Sequence, residues 1–255
     1  MYHQQERTVA GLCLEDADEL RGINSRVELA EMARIVRARK NRAVMLAGVT
    51  LEDPATTYID ETVTIGQDTV IGPGVQLQGR TTIGGRCTIH AGSRLTNVEV
   101  GDDVTILDHC VLTHAVIGTA ARLGPFAHIR PESVVGPGAH IGNFVELKKT
   151  SMGKGAKANH LSYLGDAIIG DGVNIGAGTI TCNYDGTHKH RTTIEAGAGN
   201  DRITLGPDAF DNLLNVATDA ALTINGAAGG ENLLTDGLGD VLALAGDSTL
   251  RAFDL

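Results

Sequence analysis

Aliphatic residues recur every six positions along most of this chain. Ile59, Ile65, Ile71, Leu77, Ile83, Ile89 and Leu95 hold that spacing without a slip. After a one-residue contraction it resumes at Val100, Ile106 and Leu112, and then at Ile117, Leu123, Ile129, Val135, Ile141 and Leu147. It contracts again before Met152 and before Ile169 and continues to Ile175. The period excludes the two commonest elements. An α-helix turns once per 3.6 residues, so aliphatics six apart would fall on nearly opposite sides, and a half-buried strand alternates with period two. Six-residue spacing instead suits three short strands per coil of a triangular solenoid, each sending one aliphatic inward while a small residue turns the corner. Coils of about eighteen residues, stacked at roughly 4.8 Å, would number about seven to eight between Ile59 and Thr193.

A different pattern precedes the repeats. Ser25 and Glu28 have capping-box spacing, and the run from Arg26 to Leu46 lacks Gly and Pro, with Leu29, Met32, Ala33 and Val36 on one face. This predicts a helix of about 20 residues, roughly 30 Å long. Its basic cluster, Arg34, Arg37, Arg39, Lys40 and Arg42, reads as a solvated face. No aromatics accompany it and the chain carries a net charge of -10, which argues against nucleic acid.

Composition fits a thin, repetitive core: 33 Gly, no Trp and 3% aromatics leave aliphatic layers as the only means of building one. The charge is uneven. From Gly199 onward nine acids face two arginines, a net of -7, and there is no lysine, which marks a boundary near Ala198. Cys13, Cys87, Cys110 and Cys182 have no CxxC spacing and read as small hydrophobes rather than a disulfide framework or zinc site. With no apolar leader in the opening residues and no apolar run near the ~20 residues of a bilayer span, the expected location is cytoplasmic.

Polar residues that a structural wall does not need cluster late in the repeat. Arg130, Lys148, Lys149, Lys154, Lys157 and Lys189 fall within some three coils of His160, Tyr163, Asn174, Asn183 and Tyr184. Stacked coils would compress them to one patch. Convergent cations suit a phosphorylated ligand, and a neutral imidazole beside them suits proton removal, although a single His is more often a mere surface residue. The stretch CNYDGTHKHRT interrupts the repeat, and its Asp185-Gly186 step predicts a loop leaving the wall. His109 and His114 raise the thought of a metal hydratase, but they occupy different positions within their hexapeptides.

The repeats resemble the left-handed parallel β-helix of hexapeptide-repeat proteins, which makes the expected fold mainly β, preceded by one long helix. More specifically, GPFAHIRPES, HIGNFVELKKTSMGKGAKANHLSYLGDA and GVNIGAGTITCNYDGTHKHRTTIE resemble the acetyltransferase half of the bifunctional bacterial N-acetylglucosamine-1-phosphate uridyltransferase / glucosamine-1-phosphate N-acetyltransferase family. GINSRVELAEMARIVRARKNRAVMLAGVTLEDPATTYID is similar to that family's connector. The resemblance spans about Val9 to Ala198. It implies that His160 is the base freeing the 2-amino group of glucosamine 1-phosphate, and that Glu146 orients it. Arg130, Lys148 and Lys189 would hold phosphate and sugar, with Tyr163 and Asn174 completing that pocket. Ala177, Asn183 and Tyr184 would line the site of the co-substrate acetyl-CoA. It further implies homotrimers with sites in the clefts between solenoids, no nucleic-acid or membrane partner, and a place on the path to UDP-N-acetylglucosamine and so to peptidoglycan and lipopolysaccharide.

Two departures shape the expectation. Residues 1–25 resemble only a remnant of the nucleotidyltransferase domain, so uridyltransferase activity is not expected. Asn24 matches a position in that domain's magnesium site, with its partners missing. After a connecting helix (26–50) and the β-helix (51–198), residues 199–255 form a divergent acidic tail expected to be β-rich. There the family continues with coils that complete the acetyl-CoA site, so cofactor binding is expected to be weakened. The alternative reading is a non-catalytic trimeric scaffold that keeps only a sugar-phosphate site. Within the tail, AGAGNDRIT nearly fits a calcium-binding nonapeptide, but one good copy cannot build a calcium ladder, and plain β packing is the expectation.

Overall fold

The computed structural model describes residues 11, 13, 17–184 and 186–195, together with the tail strands Arg202–Thr204, Leu222–Thr223, Glu231–Thr235, Val241–Ala245 and Thr249–Leu250. Two-to-three-residue strands follow one another around three faces of a parallel β-helix of about seven turns, each strand bonded to the equivalent strand one coil away. The first face runs through Thr50–Leu51, Val70–Ile71, Thr88–Ile89, Thr105–Ile106 and Arg122–Leu123; the second through Tyr58–Ile59, Gln76–Gln78, Arg94–Thr96, Val111–Thr113 and His128–Ile129. The third runs from Thr64–Ile65 to Thr192–Glu195. In the later coils two nine-residue strands, His140–Lys148 and Lys157–Gly165, bend through the corner between the first and second faces.

The six-residue aliphatics are the core: Ile71, Leu77, Ile89, Leu95, Ile106, Leu112, Leu123, Ile129, Ile141 and Leu147 are wholly buried. A second inward position, two residues earlier, completes each hexapeptide, because strand side chains alternate faces. Val75, Cys87, Val104, Cys110, Ala121 and Ala139 fill it. It sits beside a corner and takes only small groups, which accounts for two of the cysteines; where it is a hydroxyl, a carbonyl of the wall accepts the proton, as from Thr69 to Gly84 (2.9 Å) and Ser93 to Leu107 (3.0 Å). Burial pushes the Cys87 thiol up and that of Cys110 up to about 11.

Each corner carries a column of residues at positive φ. One runs Asp68, Arg86, Asp103, Ala120; another Asn97, His114, Glu132, Lys149, Asp166; the third, between the first and second faces, His109, Phe126, Phe144, Leu161. Asn, Asp and Gly tolerate this conformation, whereas a bulky side chain there is an outlier. His109 and His114, paired above as possible metal ligands, stand on different corners: His109 stacks on Phe126 and His114 lies 3.3 Å from Asn97 Nδ2.

The helix α1, Arg26–Leu46, has its capping box formed in both directions. The backbone N–H of Asn24 joins it, donating to Glu28. Its expected apolar face is not what docks: Leu29 and Val36 are each 53% exposed, and Asn41 is its one buried residue. The helix lies on the open end of the solenoid, whose first coil offers carbonyls with no coil below them. Asn41 Nδ2 donates to Pro54 (2.8 Å) and Thr57 (3.0 Å), and Lys40 Nζ to Glu61 and Val63. Arg37 covers the Tyr58 ring at 4.4 Å. Part of the basic cluster therefore caps a sheet edge instead of meeting solvent, as edge backbone groups require.

Parallel progression stops at Thr192–Glu195. The tail strand Arg202–Thr204 pairs with it antiparallel, Glu231–Thr235 adds parallel to that, and Val241–Ala245 adds antiparallel. Most of the nonapeptide-like stretch, residues 196–201, lies outside the described residues.

Candidate functional site

Most of the residues singled out from the sequence fall on two faces, on either side of the Phe126–Phe144–Leu161 corner. A coil of 17 residues moves a side chain six positions on to the next face, so closeness in sequence did not translate into one flat patch. On the first face the register Asn143↔His160 and Lys157↔Asn174 stacks His140, Asn143, Lys157, His160 and Asn174, and the same 17-residue step places Ala177 above His160. On the second, His128↔Glu146↔Tyr163 stack in successive coils beside Arg130 and Lys148.

His160 is exposed, and its Nδ1 lies 3.2 Å from Asn143 Oδ1. Glu146, expected to orient it, is committed elsewhere: Oε1 accepts from Arg130 Nη1 at 2.7 Å and Oε2 is 3.9 Å from His128 Nδ1. No ion pair joins Glu146 to His160 within the chain. The reason is register, since Glu146 stacks under Tyr163, three residues beyond His160 and across the corner. Nearby His140 is held below the ordinary imidazole value by burial first and then by Arg122, Lys157 and His160.

Asp185 lies outside the described residues, but an antiparallel bridge between Tyr184 and Lys189 closes a small hairpin where the loop was foreseen. Tyr184 OH donates to the Gly186 carbonyl (2.6 Å), and the hairpin returns Lys189 to the second face beside Lys148. The two ammonium groups crowd each other: Lys148 is the main reason the Lys189 amine is held below the ordinary lysine value, and Asp166 opposes the shift. Asp166 also accepts from Asn183 Nδ2, which fixes that amide in the wall, where it is 7% exposed. Tyr163 and Asn183 close over Gly165, where any Cβ would meet the phenol oxygen at 2.5 Å. Two of the expected cations stand apart. Lys149 pairs with Glu132 (3.2 Å) on another corner, and Lys154 occupies the turn before the first face.

Asn143, Asp166 and His128 escaped the reading of the sequence. The signal that could have found them was the coil length: counting back 17 from His160 lands on Asn143, and counting back 17 from Asn183 lands on Asp166.

Among the described residues no group of three His, Cys, Asp or Glu is placed to hold a metal ion. Among the described residues no helix is long and apolar enough to cross a membrane.

Residues 54–136 match the family model described as the GMPPB C-terminal domain. The chain is 52% identical over 192 residues to the bifunctional protein GlmU of Anaeromyxobacter sp. (strain Fw109-5), covering 74% of this chain and 39% of that one. It is 48% identical over 208 residues to the bifunctional protein GlmU of Pelobacter propionicus, covering 82% and 44%. Among solved structures, the UDP-N-acetylglucosamine acyltransferase of Francisella novicida aligns over 56% of this chain and 66% of its own at 15% identity, but its TM-score of 0.31 is too low to bear on fold or chemistry. Over about three quarters of its length this chain is a homologue of the C-terminal half of the bifunctional GlmU proteins, of whose whole length it spans about two fifths.

Proposed function

We propose that this protein transfers the acetyl group of acetyl-CoA to the 2-amino group of glucosamine 1-phosphate. The observation that carries the reading is the crowding of Lys148 and Lys189 on the face that also holds Arg130, one corner away from an imidazole. Two ammonium groups pressed together by a hairpin are relieved by a dianion between them, and a sugar phosphate supplies one. An ammonium has no lone pair, so the sugar amine must lose a proton before it attacks a thioester. His160 takes that proton, the nitrogen adds to the thioester carbonyl, and collapse of the tetrahedral adduct breaks the carbon–sulfur bond. The released thiolate takes up the proton that His160 carries, and the second proton left on the acylated nitrogen passes to water. Asn174 and Tyr163 flank the sugar from the two faces, while Ala177, Asn183 and Tyr184 line the thioester side. In this scheme Glu146 acts through Arg130, by fixing the guanidinium.

The corner between the faces supports a site completed by further copies of the chain. Phe126, Phe144 and Leu161 are 48%, 57% and 65% exposed, and each is a bulky residue at positive φ. Backbone strain and exposed apolar surface together suit a surface covered by a neighbouring subunit, and a homotrimer would set the two faces of adjacent solenoids against each other.

The antiparallel turn at Arg202–Thr204 favours a second reading, a trimeric scaffold without turnover, because it replaces the parallel coil that would extend the cofactor side. Release of CoA thiol on adding glucosamine 1-phosphate and acetyl-CoA decides between them. Turnover lost in His160→Ala supports the transferase; phosphate-sugar binding without turnover supports the scaffold.

A further inference from the structure

The imidazole of His160 has one partner among the described residues, Asn143 Oδ1, at 3.2 Å from Nδ1. Register makes the contact, since Asn143 lies directly beneath His160 in the preceding coil of the same parallel ladder. An amide oxygen accepts and cannot donate, so the ring can complete this bond only with its proton on Nδ1, and the lone pair then sits on Nε2. The imidazolium formed after proton uptake needs an acceptor at the same place. One side chain thus serves both states of a base. On the neighbouring face the carboxylate of Glu146 is engaged by Arg130.

We infer that Asn143 is a positioning residue that holds His160 in the tautomer with Nε2 free, so that Nε2 is the atom that accepts the proton. The inference rests on His160 being the base of the proposed reaction. Asn143 does not touch substrate; it sets which nitrogen works and in which direction the ring points. Its loss leaves the ring free to exchange tautomers and to rotate, which lowers turnover without altering the cations that bind phosphate.

The test joins ring spectroscopy with kinetics on the full-length chain. The 15N shifts of the His160 ring, assigned by difference from His160→Gln, report which nitrogen bears hydrogen. The expected result is an Nδ1-protonated ring in the wild type, a mixture of tautomers in Asn143→Leu, and recovery in Asn143→Asp, whose carboxylate also accepts. In parallel, Asn143→Leu should lower kcat by roughly 10–100-fold with KM for the sugar phosphate unchanged, short of the ~10⁴-fold cost of locking the wrong tautomer. Asn143→Asp should restore most of it. A wild-type ring protonated on Nε2, a tautomer indifferent to Asn143→Leu, or an unchanged kcat in that variant would overturn the inference. Should the wild type show no acetyl transfer at all, the functional proposal fails, and the spectra still decide whether Asn143 sets the tautomer.

Discussion

Arg130 Nη1 and Glu146 Oε1 are 2.7 Å apart, one coil from each other on the second face. The pair fixes the guanidinium, which in the proposed function meets the incoming phosphate, and it takes the carboxylate away from His160. Glu146→Gln keeps the shape and removes the charge. It should raise KM for glucosamine 1-phosphate about fivefold and leave kcat within about twofold, a modest effect because both side chains are partly solvated. Steady-state kinetics check the split; a collapse of kcat with KM unchanged would return Glu146 to direct service of the base.

His160→Ala should lower acetyl transfer by about 10²–10⁴-fold, the usual range for a general base, while the melting temperature stays within a degree or two of the wild type's. The ring is exposed and fills no core position, so the solenoid does not depend on it. A thiol-capture assay for CoA alongside a thermal melt separates loss of chemistry from loss of fold.

Lys148→Ala tests the crowded cations in two directions. Binding of sugar phosphate should weaken about tenfold with the loss of a charge-assisted contact. The fold should be no less stable, and slightly more so near neutrality. Lys189 is depressed chiefly by Lys148, so the unfolded chain binds its proton more readily than the folded one, and stability should rise as pH climbs through the interval just below the ordinary lysine value. The variant lacks that repulsion, and its advantage should shrink across the same alkaline interval. Thermal melts at neutral and alkaline pH measure it; an advantage that grows with pH would reverse the sign of the argument.

Asn41→Ala should destabilise the protein by about 1–3 kcal/mol, because it strips the donor from the buried carbonyl of Thr57 and from the part-buried one of Pro54. For a chain of this size that is a fall in melting temperature of about 2–4 °C per kcal/mol. Leu29→Ala on the exposed helix face should cost far less, and equal losses in the two variants would show that the helix docks through its apolar side after all.

Cys87 and Cys110 should resist alkylation in the native state near neutral pH, while the exposed Cys13 reacts promptly. Burial favours the neutral thiol at both inward positions. The same raised values mean that the fold loses stability as pH rises above the ordinary thiol range, where the unfolded chain can ionise these groups and the folded one resists. Mass spectrometry after brief iodoacetamide treatment locates the label, and early modification of Cys110 would contradict the burial.

The six-residue period was enough to define the wall, since an inward aliphatic per short strand is a local requirement that each hexapeptide meets alone. The capping box at Ser25 and Glu28 and the hairpin closed by Tyr184 and Lys189 were legible for the same reason, because neighbours in sequence make both. The distribution of function over two faces was not. Whether Asn143 or Gly142 stands beneath His160 depends on a coil being 17 residues rather than 18, a one-residue difference that no single repeat records and that only stacking converts into contact. The role of α1 was hidden in a similar way: Asn41 and Lys40 matter because the first coil leaves carbonyls open, and that edge exists only once the solenoid has closed. Sequence alone determined what each strand buries; tertiary structure decided which polar side chains meet, because those meetings are set by register between coils.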